Sequence, residues 1–233
     1  MKICGLEKLS LVDFDNYVAC TLFVEGCNFR CPFCHNAPLV IFDQNVEIDQ
    51  DEIFAFLEKR KKTIDGVCIS GGEPTLYPDL PDFIAKVKAI GYKIKLDTNG
   101  TNPKMLESLI NGNLIDYVAM DVKSSIDGYY KASLCTEKQL ENVLKSVEIL
   151  KKNKLAYEFR TTLVKNLHSF DEILGIAKIV KGYPKYFLQK YIYNENCIGG
   201  KFEEVDNQTA ITYCKALRDM GINAHLRGYD ILP

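Results

Sequence analysis

The sequence lacks any apolar run that approaches the roughly 20 residues needed to cross a bilayer. It also lacks a strong charge of either sign, because 29 Lys and Arg residues face 31 Asp and Glu residues, for a net charge of −2. This balance gives no general attraction to nucleic acids or to anionic lipids. Residues 1–10 do not show the basic-then-apolar order of a secretory signal peptide. We therefore expect a cytoplasmic protein that binds neither membranes nor nucleic acids.

Linkers, low-complexity tracts and charge blocks are also absent, so nothing in the pattern divides the 233 residues. We predict one domain over residues 1–233, and apolar residues, at 47% of the chain, are ample for its core. The nine cysteines are an odd number, which does not suggest a disulfide framework. Three of them lie close together, and such clustering favours metal ligation in a reducing compartment.

Apolar, β-branched runs alternate with segments of helical periodicity along most of the chain. The predicted strands lie at 17–24, 66–69, 92–96, 117–120, 157–164 and 186–191, with a short closing strand at 223–227. The predicted helices lie at 49–61, 79–90, 103–110, 137–151, 170–180 and 207–220. Repeated strand–helix units imply a parallel sheet with right-handed crossovers. Six units favour an α/β fold of the incomplete (β/α)6 TIM-type barrel kind, although an open doubly wound sheet also fits the pattern.

Cys27, Cys31 and Cys34 follow the first predicted strand with the spacing C-x3-C-x2-C. Three thiolates in one loop can bind three irons of a cubic iron–sulfur cluster and leave the fourth iron open. Ferredoxin clusters and structural zinc sites usually close their coordination with a fourth ligand. Zinc with His35 as that ligand is the main alternative, but adjacent residues rarely complete one tetrahedral site with two earlier cysteines. The spacing therefore favours a cluster with an open iron.

Polar or glycine-containing segments also lie at or near the carboxyl ends of four other predicted strands. They are Gly71-Gly72-Glu73-Pro74, Asp97-Thr98-Asn99-Gly100, Asp121 with Lys123, and Arg160. Taken singly, Gly-Gly-Glu-Pro and Asn-Gly are typical of turns, and Arg160 is as compatible with a structural ion pair as with ligand binding. The active sites of βα barrels are built at the carboxyl ends of the strands. Because such segments, together with the cysteine motif, lie at or near the ends of five predicted strands, we expect them to form one functional site at that end of the barrel.

The cysteine motif with Phe33 before its last cysteine, followed by Gly-Gly-Glu-Pro, resembles the radical S-adenosylmethionine (SAM) superfamily. Within it, residues 5–13 and 25–36 resemble the activases of glycyl radical enzymes, above all those of anaerobic ribonucleotide reductase and also those of pyruvate formate-lyase. The resemblance implies that the three cysteines hold a [4Fe–4S] cluster whose fourth iron binds SAM. Reductive cleavage of SAM would then give a 5′-deoxyadenosyl radical that abstracts a hydrogen atom from a glycine of a partner enzyme. Flavodoxin or ferredoxin is the expected electron donor.

The resemblance also assigns roles to single residues. Phe33 would lie beside the adenine, and Gly71 and Gly72 would let the backbone approach the methionyl group. Glu73 would be a direct or indirect partner of the SAM ammonium, and Lys123 would meet the SAM carboxylate. The other implied cofactor-binding residues are Asn99, Asp121 and Arg160.

Asp97 and Asp121 match positions at which the pyruvate formate-lyase activase binds a monovalent cation, so such a cation is expected near them. The remaining cysteines show no ligand spacing, and we expect a single cluster, with Cys20 and Cys68 as core thiols. His168 and His225 receive no role. Two further functions stay open: a radical enzyme acting on a small molecule or RNA, and a metal-binding module without catalysis.

Overall fold

The computed structural model describes residues 1–41, 46–182, 185–193, 195 and 197–230. Its strands form a single eight-stranded sheet in which each strand neighbours the next one along the chain. The strands are β1 (Ile3–Ser10), β2 (Ala19–Val24), β3 (Gly66–Gly71), β4 (Lys93–Thr98), β5 (Tyr117–Asp121), β6 (Ala156–Leu163), β7 (Tyr186–Lys190) and β8 (Ala224–Arg227). A doubly wound sheet reverses its strand order at a switch point, so the unbroken order confirms the incomplete barrel.

Strands β2 to β8 are parallel, and β1 pairs antiparallel with β2. All six predicted strand–helix units are present, and the short closing strand is β8. Strand β1 was not predicted: it is an edge strand with a half-exposed surface, so it lacks the continuous apolar run of its buried neighbours. Strands β3 and β4 each extend two residues beyond the prediction, which places Gly71 and Asp97 inside strands.

The helices are α1 (Ala37–Ile41), α2 (Gln50–Arg60), α3 (Leu80–Ile90), α4 (Pro103–Asn111), α5 (Tyr129–Ser133), α6 (Glu137–Lys152), α7 (Phe170–Val180) and α8 (Asn207–Asp219). Side chains cap the amino-terminal ends of two of these helices: Asp49 accepts from the N–H of Asp51 before α2, and Asn102 accepts from that of Met105 before α4. The five-residue helices α1 and α5 were not predicted, because such short segments carry too little periodicity. No helix in the described ranges is long and apolar enough to span a bilayer.

The two faces of the sheet differ in chemistry. Ile94 and Leu96 of β4 belong to the apolar core, whereas Lys95 and Asp97, which alternate with them, form an ion pair in the barrel interior. Alternation of this kind follows from the period of two along a strand. The sheet therefore keeps its apolar side for the core and its charged side for the interior of the barrel.

The loop between β1 and β2 closes the amino-terminal end of the barrel. Phe14 is 2% exposed, and its ring lies so close to Gly66 that a Cβ there would be 2.7 Å from it. The ring also contacts Tyr117, with centroids 6.0 Å apart. Lys95 reaches down to donate to the carbonyl of Asp13 in the same loop. We call this loop, residues 11–18, the barrel floor.

Candidate functional site

A cavity of about 230 Å³ lies at the carboxyl ends of the strands, opposite the barrel floor. It is lined by Cys27, Phe29, Cys31, Phe33, Cys34, His35, Asn36, Val40, Ser70, Gly71, Gly72, Asp97, Thr98, Asn99, Asp121, Lys123, Arg160, Thr162 and Gln189. Segments far apart in the sequence thus converge on one site, as their position at strand ends predicts. Every site residue expected from the sequence lines the cavity except Glu73.

The three cysteines lie in the loop that leaves β2, and this loop is anchored to the rest of the barrel by backbone contacts. The N–H of Arg30 donates to the carbonyl of Ser133 (3.0 Å), and the N–H of Gly199 to that of Pro32 (2.7 Å). The side chain of Gln139, at the start of α6, donates to the carbonyl of Asn28 (3.0 Å). The loop is therefore shaped by protein contacts on both sides of Cys31.

The thiols of this loop are protonated in the absence of metal. Burial raises the pKa of Cys27 to about 11 and that of Cys31 to about 12, and it also raises the pKa of Cys34. A metal binds thiolate rather than thiol, so loading the site releases protons. The amide of Asn99 lies 3.7 Å from Cys27 Sγ, where it can donate to the sulfur.

The Gly-Gly-Glu-Pro turn packs backbone against backbone on the start of the cysteine loop. The N–H of Gly72 donates to Val24 O (2.9 Å), and the N–H of Glu73 to Gly26 O (2.7 Å). A Cβ on Gly72 would lie 1.9 Å from Gly26 O, and one on Gly71 would lie 2.5 Å from Val24 N. Gly71 also has a φ of +109°, a conformation that favours glycine. These glycines are required by the approach of the two segments.

Glu73 lies beneath the cavity and is fully buried. Its carboxylate accepts hydrogen bonds from Thr75, from the hydroxyl of Thr98 (2.7 Å) and from the N–H of Asn99 (2.6 Å). Burial raises its pKa above the usual value despite these donors. Of the two roles expected for Glu73, this position favours the indirect one, because the residue fixes the strand end that carries Asn99.

Lys123 is held by its own backbone. Its N–H donates to the hydroxyl oxygen of Tyr129 (3.3 Å), and its carbonyl accepts from His168 Nε2 (2.8 Å). The N–H of Val164 donates to the other ring nitrogen, His168 Nδ1 (2.9 Å), which places the proton of the neutral imidazole on Nε2. Burial lowers the pKa of His168, so the ring is neutral. His168 and Tyr129, to which the sequence assigned no role, thus position Lys123.

A row of alternating charges runs from the barrel floor to the cavity, through Lys95, Asp97, Arg160, Asp121 and Lys123. Successive members are 2.9, 3.2, 3.0 and 2.8 Å apart at their closest charged atoms. Burial alone would raise the pKa of Asp97, but Arg160 and Lys95 hold it well below its usual range. Burial alone would lower the pKa of Lys123, but Asp121 raises it. All five groups are therefore charged at neutral pH.

The sequence pattern does not predict several of the residues and contacts at this site. Lys95 occupies a strand position with apolar neighbours, and nothing in its spacing indicates a partner. Thr162 and Gln189 line the cavity from β6 and β7 without a motif of their own. The rings of His35 and Tyr191 stack at 6.4 Å. The ring of Phe33 meets His168 edge-on at 6.3 Å, a contact that only the fold shows.

The sequence profile of the Radical SAM superfamily matches residues 21–180. The chain belongs to the radical SAM superfamily. Among its relatives, a candidate glycyl-radical enzyme activating enzyme of Methanocaldococcus jannaschii is 38% identical over 197 residues, which cover 81% of this chain and 79% of the relative. The pyruvate formate-lyase-activating enzyme of Clostridium pasteurianum is 28% identical over 197 residues, or 82% of either chain.

A solved structure with the same fold is that of Streptococcus suis SuiB bound to S-adenosylmethionine. The two superpose with a TM-score of 0.68 over 89% of this chain and 52% of SuiB, at 15% identity. At that identity the likeness shows the fold alone. It agrees with the partial barrel derived above from strand order.

This radical SAM enzyme uses the cofactors of its superfamily, a [4Fe–4S] cluster and SAM. In the described part of the chain, no three Cys, His, Asp or Glu side chains converge as the ligands of one ion do. A cubic cluster needs a wider arrangement, because each thiolate binds a different iron. Three cysteines that face one cavity without converging therefore fit a cluster, and Lys123 beside them fits an anionic group.

Proposed function

We propose that this radical SAM enzyme is a glycyl-radical-enzyme activase, with Cys27, Cys31 and Cys34 as the cluster ligands. When bound, the cluster and SAM supply a 5′-deoxyadenosyl radical that can abstract a hydrogen atom from glycine. The observation that carries this proposal is the convergence of the cysteine loop, the glycine turn and Lys123 on one cavity. Similarity to two activases over about four-fifths of the chain supports the reaction type.

In this proposal, the chain's own residues bind and orient the cofactors. Lys123 pairs with the SAM carboxylate, a charge-assisted contact, and its clamped backbone fixes the direction of the side chain. Asn99 donates to the sulfur of Cys27, and the backbone of Gly71 and Gly72 lies beside the methionyl group. Phe33 presents an apolar surface to the adenine. Asp121 and Arg160 complete the set by holding Lys123 and the neighbouring strand ends in place.

We further propose that the partner is anaerobic ribonucleotide reductase, and that flavodoxin or ferredoxin donates the electron. A pyruvate formate-lyase-type enzyme is the alternative partner. A cytoplasmic, oxygen-poor location belongs to the same proposal, because Cys27, Cys31 and Cys34 must be reduced to bind the cluster.

The proposal is tested on protein reconstituted anaerobically with iron and sulfide. We expect about four irons and four sulfides per chain, and an electron paramagnetic resonance signal of the reduced cluster that changes when SAM is added. With the reductase present, we expect 5′-deoxyadenosine and a glycyl radical doublet that is missing from a partner whose target glycine is replaced by alanine. Cys31→Ser should lose the cluster.

The matched control is Cys214→Ser, which changes a buried thiol that donates to Ala224 O (3.4 Å) away from the cavity. It should keep the iron content and SAM cleavage of the wild type. SAM cleavage without a radical on any glycyl radical enzyme would contradict the activase assignment and favour a small-molecule substrate. An iron-free protein with one zinc would instead favour the metal-binding module.

A further inference from the structure

Asp97 and Asp121, near which resemblance places a monovalent cation, already have counter-ions from the chain. Lys95 Nζ lies 2.9 Å from Asp97 Oδ1. The two groups form an ion pair, although the angles at the two atoms are not those of a hydrogen bond. Arg160 bridges the two aspartates, with Nη1 3.2 Å from Asp97 Oδ2 and Nε 3.0 Å from Asp121 Oδ1. Lys123 Nζ lies 2.8 Å from Asp121 Oδ2. Each of the four carboxylate oxygens thus has a cationic nitrogen within 3.2 Å.

These contacts are shielded from water, so they are stronger than surface ion pairs. The five side chains of the row are between 5% and 26% exposed. Three are cations and two are carboxylates, so an added alkali ion would increase the positive charge of a poorly hydrated space. It would also have to displace a lysine or arginine to reach the carboxylate oxygens. The residues present do not fit the expected cation.

The other acidic side chains near the row, Glu158 and Asp13, do not change its balance of positive and negative charge. Glu158 is 1% exposed and pairs with Arg227 at 2.9 Å, while Tyr117 donates to its second oxygen at 2.9 Å. The carboxylate of Asp13 accepts from the hydroxyl of Thr21 at 2.6 Å on the barrel floor. Both acids thus have partners away from the aspartate pair.

We propose that Lys95 and Arg160 are the permanent counter-ions of Asp97 and Asp121, and that this enzyme binds SAM without an alkali metal ion. Lys95 is a positioning residue that acts through Asp97, and Lys123, at the far end of the row, keeps its contact with Asp121 while its remaining donors pair with the SAM carboxylate. This inference rests on the proposed function, because it takes the cavity to be the SAM site.

The first test measures SAM affinity of the reconstituted wild type in potassium, sodium and tetramethylammonium chloride at equal ionic strength. We expect the three dissociation constants to agree within about twofold. A loss of about tenfold or more in tetramethylammonium, reversed by potassium or sodium, would overturn the inference while leaving the proposed function intact. Failure to bind SAM in every salt would instead count against the proposed function.

The second test does not need SAM or the cluster. Equilibrium dialysis with rubidium-86 should show no rubidium bound to the wild-type apoprotein at millimolar concentration, and about one per chain bound to Lys95→Met, whose Asp97 has lost its counter-ion. Lys93→Met is the matched control, since Lys93 lies on the same strand but pairs outside the cavity with Asp116. It should behave as the wild type.

In the loaded enzyme, Lys95→Met should gain a dependence on potassium for SAM binding that the wild type lacks. Lys95→Arg keeps the charge and should stay independent of the salt. Rubidium bound to the wild type, or a folded Lys95→Met that neither binds rubidium nor responds to potassium, would contradict the role of Lys95. If Lys95→Met misfolds, the salt series and the rubidium dialysis of the wild type still test whether the enzyme binds an alkali metal ion.

Discussion

At the scale of single residues, the site depends on side chains that do not line the cavity. His168 is fully buried, and both ring nitrogens are engaged with backbone groups, those of Val164 and Lys123. The hydroxyl of Tyr213 in turn donates to the carbonyl of His168 at 3.0 Å. A lysine side chain is long and has many rotamers. Hydrogen bonds to both the N–H and the carbonyl of Lys123 therefore reduce the freedom of its charged end.

His168→Ala should therefore affect both stability and binding. It leaves the N–H of Val164 and the carbonyl of Lys123 without their partner in a buried setting, which should lower the free energy of unfolding by about 3 kcal/mol. Displacement of Lys123 should weaken SAM binding by about tenfold. Urea denaturation and SAM titration measure the two effects. His225→Ala, at a ring bonded to Asn223 near the surface, serves as the control and should change neither.

The neutral state of His168 also predicts a pH dependence. Burial lowers its pKa in the fold, so below about pH 6.5 the unfolded chain binds a proton that the folded chain does not. Its contribution to stability is thus complete above that pH and falls as the pH decreases, by up to about 1.4 kcal/mol per pH unit. Urea midpoints of the apoprotein between pH 7.5 and 5.5 should fall less steeply for His168→Gln. Equal slopes would show that folding does not lower the pKa of the histidine.

At the scale of elements, the glycine turn and the cysteine loop form one unit. Backbone hydrogen bonds from Gly72 and Glu73 bind the end of β3 to the residues that precede Cys27. The Glu73 carboxylate extends the unit to β4 through Thr98 and Asn99. The ends of β2, β3 and β4 are therefore connected beneath the cavity.

Gly72→Ala should break this unit, because its Cβ would lie 1.9 Å from the carbonyl oxygen of Gly26. The backbone must move, and we expect a loss of about 2–4 kcal/mol in stability together with reduced iron content after reconstitution. Gly112→Ala is a suitable control, since its φ of −78° suits alanine and its nearest contact is a milder 3.2 Å. Full iron content and SAM binding in Gly72→Ala would show that the approach of the two segments is dispensable.

The same elements show what sequence can and cannot predict. The six buried strands were found because apolar runs are local, and the cysteine and glycine motifs were found because their members are adjacent. Strand β1 was missed because its pairing with β2 depends on tertiary structure. The hydrogen bond from His168 to the carbonyl of Lys123 joins residues that are 45 apart in the sequence, and no local pattern indicates such a pair. Likewise, Lys95 shows its role only once Arg160 and Asp121 are beside Asp97.

At the scale of the whole molecule, the barrel should fold without its cluster. The core is made by the strands and helices, and the cysteine loop is anchored by Ser133, Gln139 and Gly199 rather than by metal alone. Removal of the cluster by oxidation and chelation should leave the far-ultraviolet circular dichroism unchanged. Hydrogen exchange should become faster mainly within residues 27–36. Global unfolding of the apoprotein would show that the cluster is required for the fold.

The barrel floor affects how cofactor, product and partner enter and leave the cavity. Phe14 and the loop around it block the amino-terminal end, so among the described residues the cavity is reached from the carboxyl ends of the strands rather than from the barrel floor. A partner's loop seated in that opening would cover a route by which SAM arrives and spent nucleoside leaves. In the proposed activase, we then expect SAM to bind before the partner, and the partner to dissociate before the next turnover. A large excess of partner should slow the exchange of cofactor rather than accelerate it.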